Sequence, residues 1–237
     1  MTGNLPAALH ADHHADVTGG WLRAATFGVM DGLVTNIALI AGVGGGGLAP
    51  RTIVLTGVAG LVAGALSMGI GEFISVRTQN EQIDREIAKE RRELELHPDV
   101  EANELAEMWI ARGLPADVAH LVADTLRDHP EEALRMHVRE ELGIDPDDRA
   151  SPWAAAISSF LCFSIGAAVP LLPYFFGSTS LGLALAVGGV GLFVAGAVIS
   201  RFTGRSWLGS GLRLFVLGGL AAAATYGIGE LIGVAVS

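Results

Sequence analysis

The chain has 237 residues, 51% of them hydrophobic and 32 of them glycine, with a mean hydropathy of +0.48 and a formal charge of −10. Small residues in apolar surroundings are the composition of helices packed closely in lipid. The surplus acid is confined: residues 77–150 hold 20 of the 25 acids and 10 of the 15 bases, and the remainder balances at five of each. A near-neutral membrane part with one acidic insert excludes nucleic acid as a partner and favours cations.

Residues 1–20 read as a flexible tail in which His10, His13 and His14 stand beside Asp12 and Asp16. Residues 21–42 form a first span of about 33 Å, enough to cross a hydrocarbon core of roughly 30 Å. Asp31 falls near its middle, where an unpartnered carboxylate costs about 2.5–3.5 kcal/mol. It is expected to face a polar pathway or a partner, with Asn36 near the same face. GVGGGGLAP at 42–50 is a glycine loop without the GK[ST] of a phosphate loop. Residues 52–75 form the second span, with Met68 and Glu72 four apart on one face near its end. No proline or glycine follows Gly71 until Pro98, so this helix is expected to leave the membrane and continue to about Leu96.

The insert, residues 76–150, reads as that extension and three further helices. One is capped by Asp99 and stopped by Gly113, one is opened by Pro115, and one runs from Pro130 to Leu142. Residues 150–200 carry no charge and divide at PLLPYFFGSTS into spans at about 152–173 and 180–200. Arg201, Arg205 and Arg213 are expected in the loop before a fifth span at about 213–236, which carries Glu230 near its end. The single Cys162 cannot form an intrachain disulfide. The expected fold is therefore all-α: a polytopic membrane protein with five transmembrane helices and a cytoplasmic helical insert, in segments 1–20, 21–75, 76–150 and 151–237. Five spans place the tail, the insert and the Arg201–Arg213 segment on one side with 14 of the 15 bases. The positive-inside rule makes that side cytoplasmic and the C-terminus extracytoplasmic. The GxxxG pairs Gly28/Gly32, Gly60/Gly64 and Gly229/Gly233 fit close packing within or between subunits equally.

Chemistry concentrates in two places. Glu90 and Glu93, then Glu101 and Glu104, stand three apart on either side of the His97–Pro98 break. Two antiparallel helices would bring these four carboxylates to one space. Like charges so gathered are stable with a cation or a proton. On the last insert helix Met136 and Glu140 are four apart, and His137 and Glu140 three apart. Carboxylates alone suit Ca²⁺, Mg²⁺ or Mn²⁺, while added Met or His moves preference towards Fe²⁺. Solvated faces of Glu and Arg pairs are the plain alternative.

MDGLVTNIALIAGV in the first span and AGALSMGIGEFISVRTQNEQ in the second resemble the vacuolar iron transporter family, and the similarity covers nearly the whole chain after the tail. The resemblance implies a homodimer in the lipid bilayer that exports Fe²⁺, and Mn²⁺ and related metals, from the cytosol in exchange for protons. It would be a secondary transporter rather than an enzyme, with the metal as substrate and no prosthetic group. It implies a pathway through Asp31, Met68 and Glu72, and metal ligands at Glu90, Glu93, Glu101, Glu104, Met136 and Glu140. Met30 stands where the family often has Asn, and Phe73 where it has Tyr. Two other readings remain open: a membrane-anchored iron-storing or iron-oxidising protein, and a metal sensor whose insert binds without transport. Di-iron chemistry would want ExxH pairs, and neither His97 nor His137 follows a Glu by three.

Overall fold

The computed structural model describes residues 20–146 and 149–236, so the histidines of the first twenty residues lie outside it. Every regular element among the described residues is a helix. They are α1 (Gly20–Gly45), α2 (Pro50–Leu96), α3 (Pro98–Ala111), α4 (Ala116–Arg127), α5 (Pro130–Glu141), α6 (Pro152–Ala168), α7 (Leu172–Phe175), α8 (Leu181–Thr203) and α9 (Trp207–Val236). Five are long and apolar enough to cross a membrane: α1, α2, α6 with its continuation into α7, α8 and α9. The protein is an integral membrane protein with five spans.

α2 is one helix of 47 residues, about 70 Å long. Pro50 opens it at the first helical position, and Pro98, which lacks an N–H, forces the break at His97. Besides the start of α9, three boundaries differ from those the sequence predicts. The glycine loop is shorter, because α1 stays helical to Gly45. His97 rather than Asp99 precedes α3, with Pro98 at its start and Asp99 in its first turn. The third span passes through a 3₁₀ turn at Val169–Leu171, where Pro170 cannot donate a helical hydrogen bond, and ends at Phe175.

Backbone contact holds α1 against α6. A Cβ added at Gly28 would sit 2.7 Å from the Ser159 carbonyl oxygen, and one at Gly32 would strike that of Phe163. Gly166 of α6 meets the Val29 carbonyl in return. At the far end Gly229 and Gly233 of α9 cross Gly42 of α1 and Gly46 of the turn that follows it. Gly60 and Gly64 receive Leu39 and Phe163. All three GxxxG pairs are thus used within the chain. Gly28→Ala is expected to lower thermal stability in detergent by about 1–3 kcal/mol, because the atom it meets is backbone and cannot repack. Gly71→Ala, with nothing within 4 Å, should leave stability unchanged or raise it slightly.

The insert has a small core of alanines, with Ala102, Ala106, Ala119 and Ala123 packed between α3 and α4. Charged pairs tie its helices together. Arg91 of α2 forks onto Glu131 of α5 at 2.5 and 3.2 Å, and Arg127 of α4 reaches Asp99 of α3 at 2.7 Å. The return strand of chain is fastened to α2 by Arg149, which meets Asp84 at 2.9 Å and donates to the Asn80 carbonyl at 3.2 Å.

Candidate metal centre and membrane carboxylates

The reversal at His97–Pro98 lays α3 beside the end of α2, and α5 packs against both. One ligand atom each from Glu90 of α2, Glu101 of α3 and His137 of α5 lie within 4.8 Å of one another. His137 is 1% exposed and Glu101 7%. His137 Nδ1 stands 3.0 Å from Glu90 Oε1 and 3.7 Å from a Glu101 oxygen. Neither His137 Nδ1 nor Glu90 Oε1 has a hydrogen-bond partner. Two buried polar atoms stand that close without a hydrogen bond to any group, as two ligands of one ion would. The 3.0 Å separation is also the edge of an octahedron with metal–ligand bonds of about 2.1 Å. The donor set therefore fits a divalent ion.

Burial, and then the charges of Glu141 and Glu101, push the Glu90 carboxyl up to about 7. The Glu141 side chain beside it adds to that rise. Burial, followed by Glu104, Glu93 and Glu141, raises Glu101, opposed by His97. Burial lowers His137 against the pull of Glu141 and Glu104, so its imidazole stays neutral and available as a ligand. A metal ion held there would compete with protons for Glu90 and Glu101. Metal affinity should therefore fall as pH drops through 7, and binding near pH 6.5 should release protons, measurable by calorimetry in buffers of different ionisation enthalpy. The sign for the empty fold is the reverse. A carboxyl raised above its unfolded value of 4.5 stabilises the fold while protonated, and that contribution is lost as pH rises from 4.5 through about 7.

The four glutamates expected at this site divide by depth. Glu90 and Glu101 point in, Glu93 is half-buried, and Glu104 is exposed at the rim. On α5 the buried stripe is Ala133, Leu134, His137 and Val138, and it turns His137 inward. Met136 is half-buried one position away, and Glu140 pairs with Arg112 through both its carboxylate and its carbonyl oxygen. His137, noted in the sequence only for its spacing from Glu140, and Glu141 are additions to the ligand set the resemblance implies. The available signal was that His137 shares a face with Ala133 and Leu134, the helix's apolar stripe.

In the membrane part Glu72 is 9% exposed and takes a 3.0 Å ion pair from Arg23 of α1. Met68, half-buried against the cluster of Ala65, Phe163 and Ala167, lies one turn deeper. Asp31 is about 12 Å further along α1 than Arg23. It accepts from Thr35 Oγ1 at 3.1 Å and lies on a strip with Arg23, Phe27 and Thr35, the more exposed positions along the span. Asn36 does not share that strip. It is buried at 1% exposure and donates to the Ala167 carbonyl of α6, because five residues carry it about 140° around the helix.

A five-span helical membrane protein with carboxylates along α1 and α2 and a carboxylate–imidazole cluster on the emergent end of α2 is the class this geometry defines. The chain matches the VIT family over residues 22–230, and it belongs to that family. It is 36% identical to vacuolar iron transporter 1 of Oryza sativa subsp. japonica, over 97% of this chain and 96% of the relative. It is 35% identical to the vacuolar iron transporter of Acanthamoeba castellanii, over 98% and 86%, and 32% identical to vacuolar iron transporter 1 of Tulipa gesneriana, over 94% and 91%.

Proposed function

We propose that this protein is a homodimeric secondary transporter that exports Fe²⁺, Mn²⁺ and related divalent metals from the cytosol in exchange for protons. The observation that carries the reading is the continuity of α2 in a chain of the VIT family. One unbroken helix holds Met68 and Glu72 at its membrane end and Glu90 at its wet end, about 27 Å apart. Metal gathers at Glu90, Glu101 and His137, with Glu93, Glu104, Met136 and Glu140 as the surrounding donors. It passes to Glu72, where it displaces the Arg23 guanidinium, and by Met68 to Asp31. An imidazole among carboxylates favours first-row ions over Ca²⁺ and Mg²⁺. Protons competing for the same carboxylates drive release on the far side.

The half-exposed Asp31 supports the dimer. A carboxylate on an uncovered strip of an apolar span is better placed against a second copy, where two such strips form one polar pathway, than against lipid. The basic residues support a cytoplasmic insert and an extracytoplasmic C-terminus. Competitive flux into liposomes tests the reading. Fe²⁺, Mn²⁺, Co²⁺ and Zn²⁺ should suppress one another's uptake, with Ca²⁺ and Mg²⁺ at least tenfold weaker. Metal binding without any flux would leave a sensor instead, and oxygen consumption with Fe²⁺ would mark an oxidase.

A further inference from the structure

The corner between α8 and α9 is tighter than its sequence predicts. Gly204 adopts a left-handed φ of +65°, Ser206 Oγ accepts from the Gly209 N–H, and α9 begins at Trp207. Arg201 is therefore in the last turn of α8, Arg205 in the corner, and Arg213 inside α9, about 9 Å along from Trp207. Below the corner the two helices touch through backbone, where Gly196 meets Ser210 and Gly211 meets Phe193. The frame that holds these arginines is therefore stiff.

A cavity of 480 Å³ opens beside this crossing. Its lining changes character with depth. Thr203, Arg205, Ser210 and Arg213 line the end nearest the corner, and Ile199 and Leu217 line the part towards the membrane interior. No Asp or Glu occurs between Asp148 and Glu230. Among the described residues Arg201, Arg205 and Arg213 make no ion pair, whereas the carboxylate-rich insert pairs most of its arginines. Trp207, at the first position of the apolar α9, stacks edge-on against Phe193 with ring centroids 6.2 Å apart, and an indole at the end of a span suits the headgroup boundary. A chain of net charge −10 thus keeps a separate triple-arginine corner, on the side of the insert, above an apolar slot.

We propose that this corner binds one anionic phospholipid of the leaflet on the insert side. Its phosphate would be held between Arg205 and Arg213, with the Ser210 and Thr203 hydroxyls beside it and an acyl chain along Ile199 and Leu217. Guanidinium forks match phosphate oxygens two at a time, hydroxyls supply the remaining donors, and the apolar slot distinguishes a lipid from free phosphate. Basic pockets between spanning helices recognise headgroups on this physical basis.

Native mass spectrometry of the delipidated full-length protein, titrated with equal phosphatidylglycerol and phosphatidylcholine, tests the proposal. The first bound lipid should favour phosphatidylglycerol by about tenfold or more. Arg205→Gln with Arg213→Gln should weaken that binding by about twentyfold and leave phosphatidylcholine unchanged. Lysine at both positions should restore part of it, and Arg51→Gln on the opposite side should change nothing. Excess inorganic phosphate should not displace the lipid. Equal binding of the two lipids by the wild-type protein overturns the site without recourse to any variant. So does an equal loss in Arg51→Gln, or complete displacement by phosphate. A double glutamine variant that changes oligomeric state but not lipid preference would assign the corner to protein docking and overturn the lipid.

Discussion

Asp31→Ala is expected to reduce metal flux in liposomes to that of protein-free vesicles while leaving the insert's metal binding unchanged. The two effects separate because the sites do. Asp31 lies beyond Glu72 from the insert, and Glu72 is itself about 27 Å along α2 from Glu90. No other carboxylate occurs in the span of α1, so a cation leaving Met68 has no second anionic group on that helix. Asp31→Asn sharpens the test, since its amide oxygen can still accept from Thr35 and the helix loses only charge. Undiminished uptake by either variant would remove Asp31 from the pathway.

His137→Ala should weaken Fe²⁺ or Mn²⁺ binding to the detergent-solubilised protein by at least the roughly 10–100-fold that loss of even an outer partner costs a metal site. The effect should be large because His137 would supply the nitrogen donor and is buried at 1% exposure, where water does not readily replace it. Glu90→Gln gives the complementary signature. Binding falls, but the metal-free protein becomes more heat-stable near pH 7.5, because a carboxyl raised to about 7 opposes folding whenever it is ionised. A mere packing residue would lose stability with no effect on metal. If both variants bind as tightly as wild type, the ligands lie elsewhere among the glutamates.

Much of this was legible in the chain itself. The uninterrupted stretch from Gly71 to Pro98 predicts the long helix, because nothing in it can break one. Asp31, Met68 and Glu72 stand out as polar or soft groups in apolar runs. The paired glutamates about His97–Pro98 predict a shared carboxylate space, and Glu90 and Glu101 do meet there. What spacing could not reveal was rotation. Met136 and His137 are adjacent on α5, and the imidazole turns inward because it shares the apolar stripe of Ala133, Leu134 and Val138, a signal that glutamate spacing does not contain. The same reason separates Asp31 from Asn36, which differ by less than two turns and face opposite ways. α9 starts earlier than its sequence suggests because Gly204, Ser206 and Gly209 read as loop residues, while one glycine in the left-handed region and one serine cap suffice to turn the chain. The GxxxG pairs specify close approach but not the partner, and each partner was a distant segment of the same chain.

The most direct test of the whole account is Fe²⁺ flux into liposomes with the insert facing out, followed together with internal pH. With an acidic interior, the account predicts fast metal uptake accompanied by proton exit. Collapsing the gradient should slow uptake, and reversing it should slow uptake further. Metal entry that is indifferent to the gradient, with no proton movement, would contradict exchange, and absence of entry under every gradient would contradict transport itself.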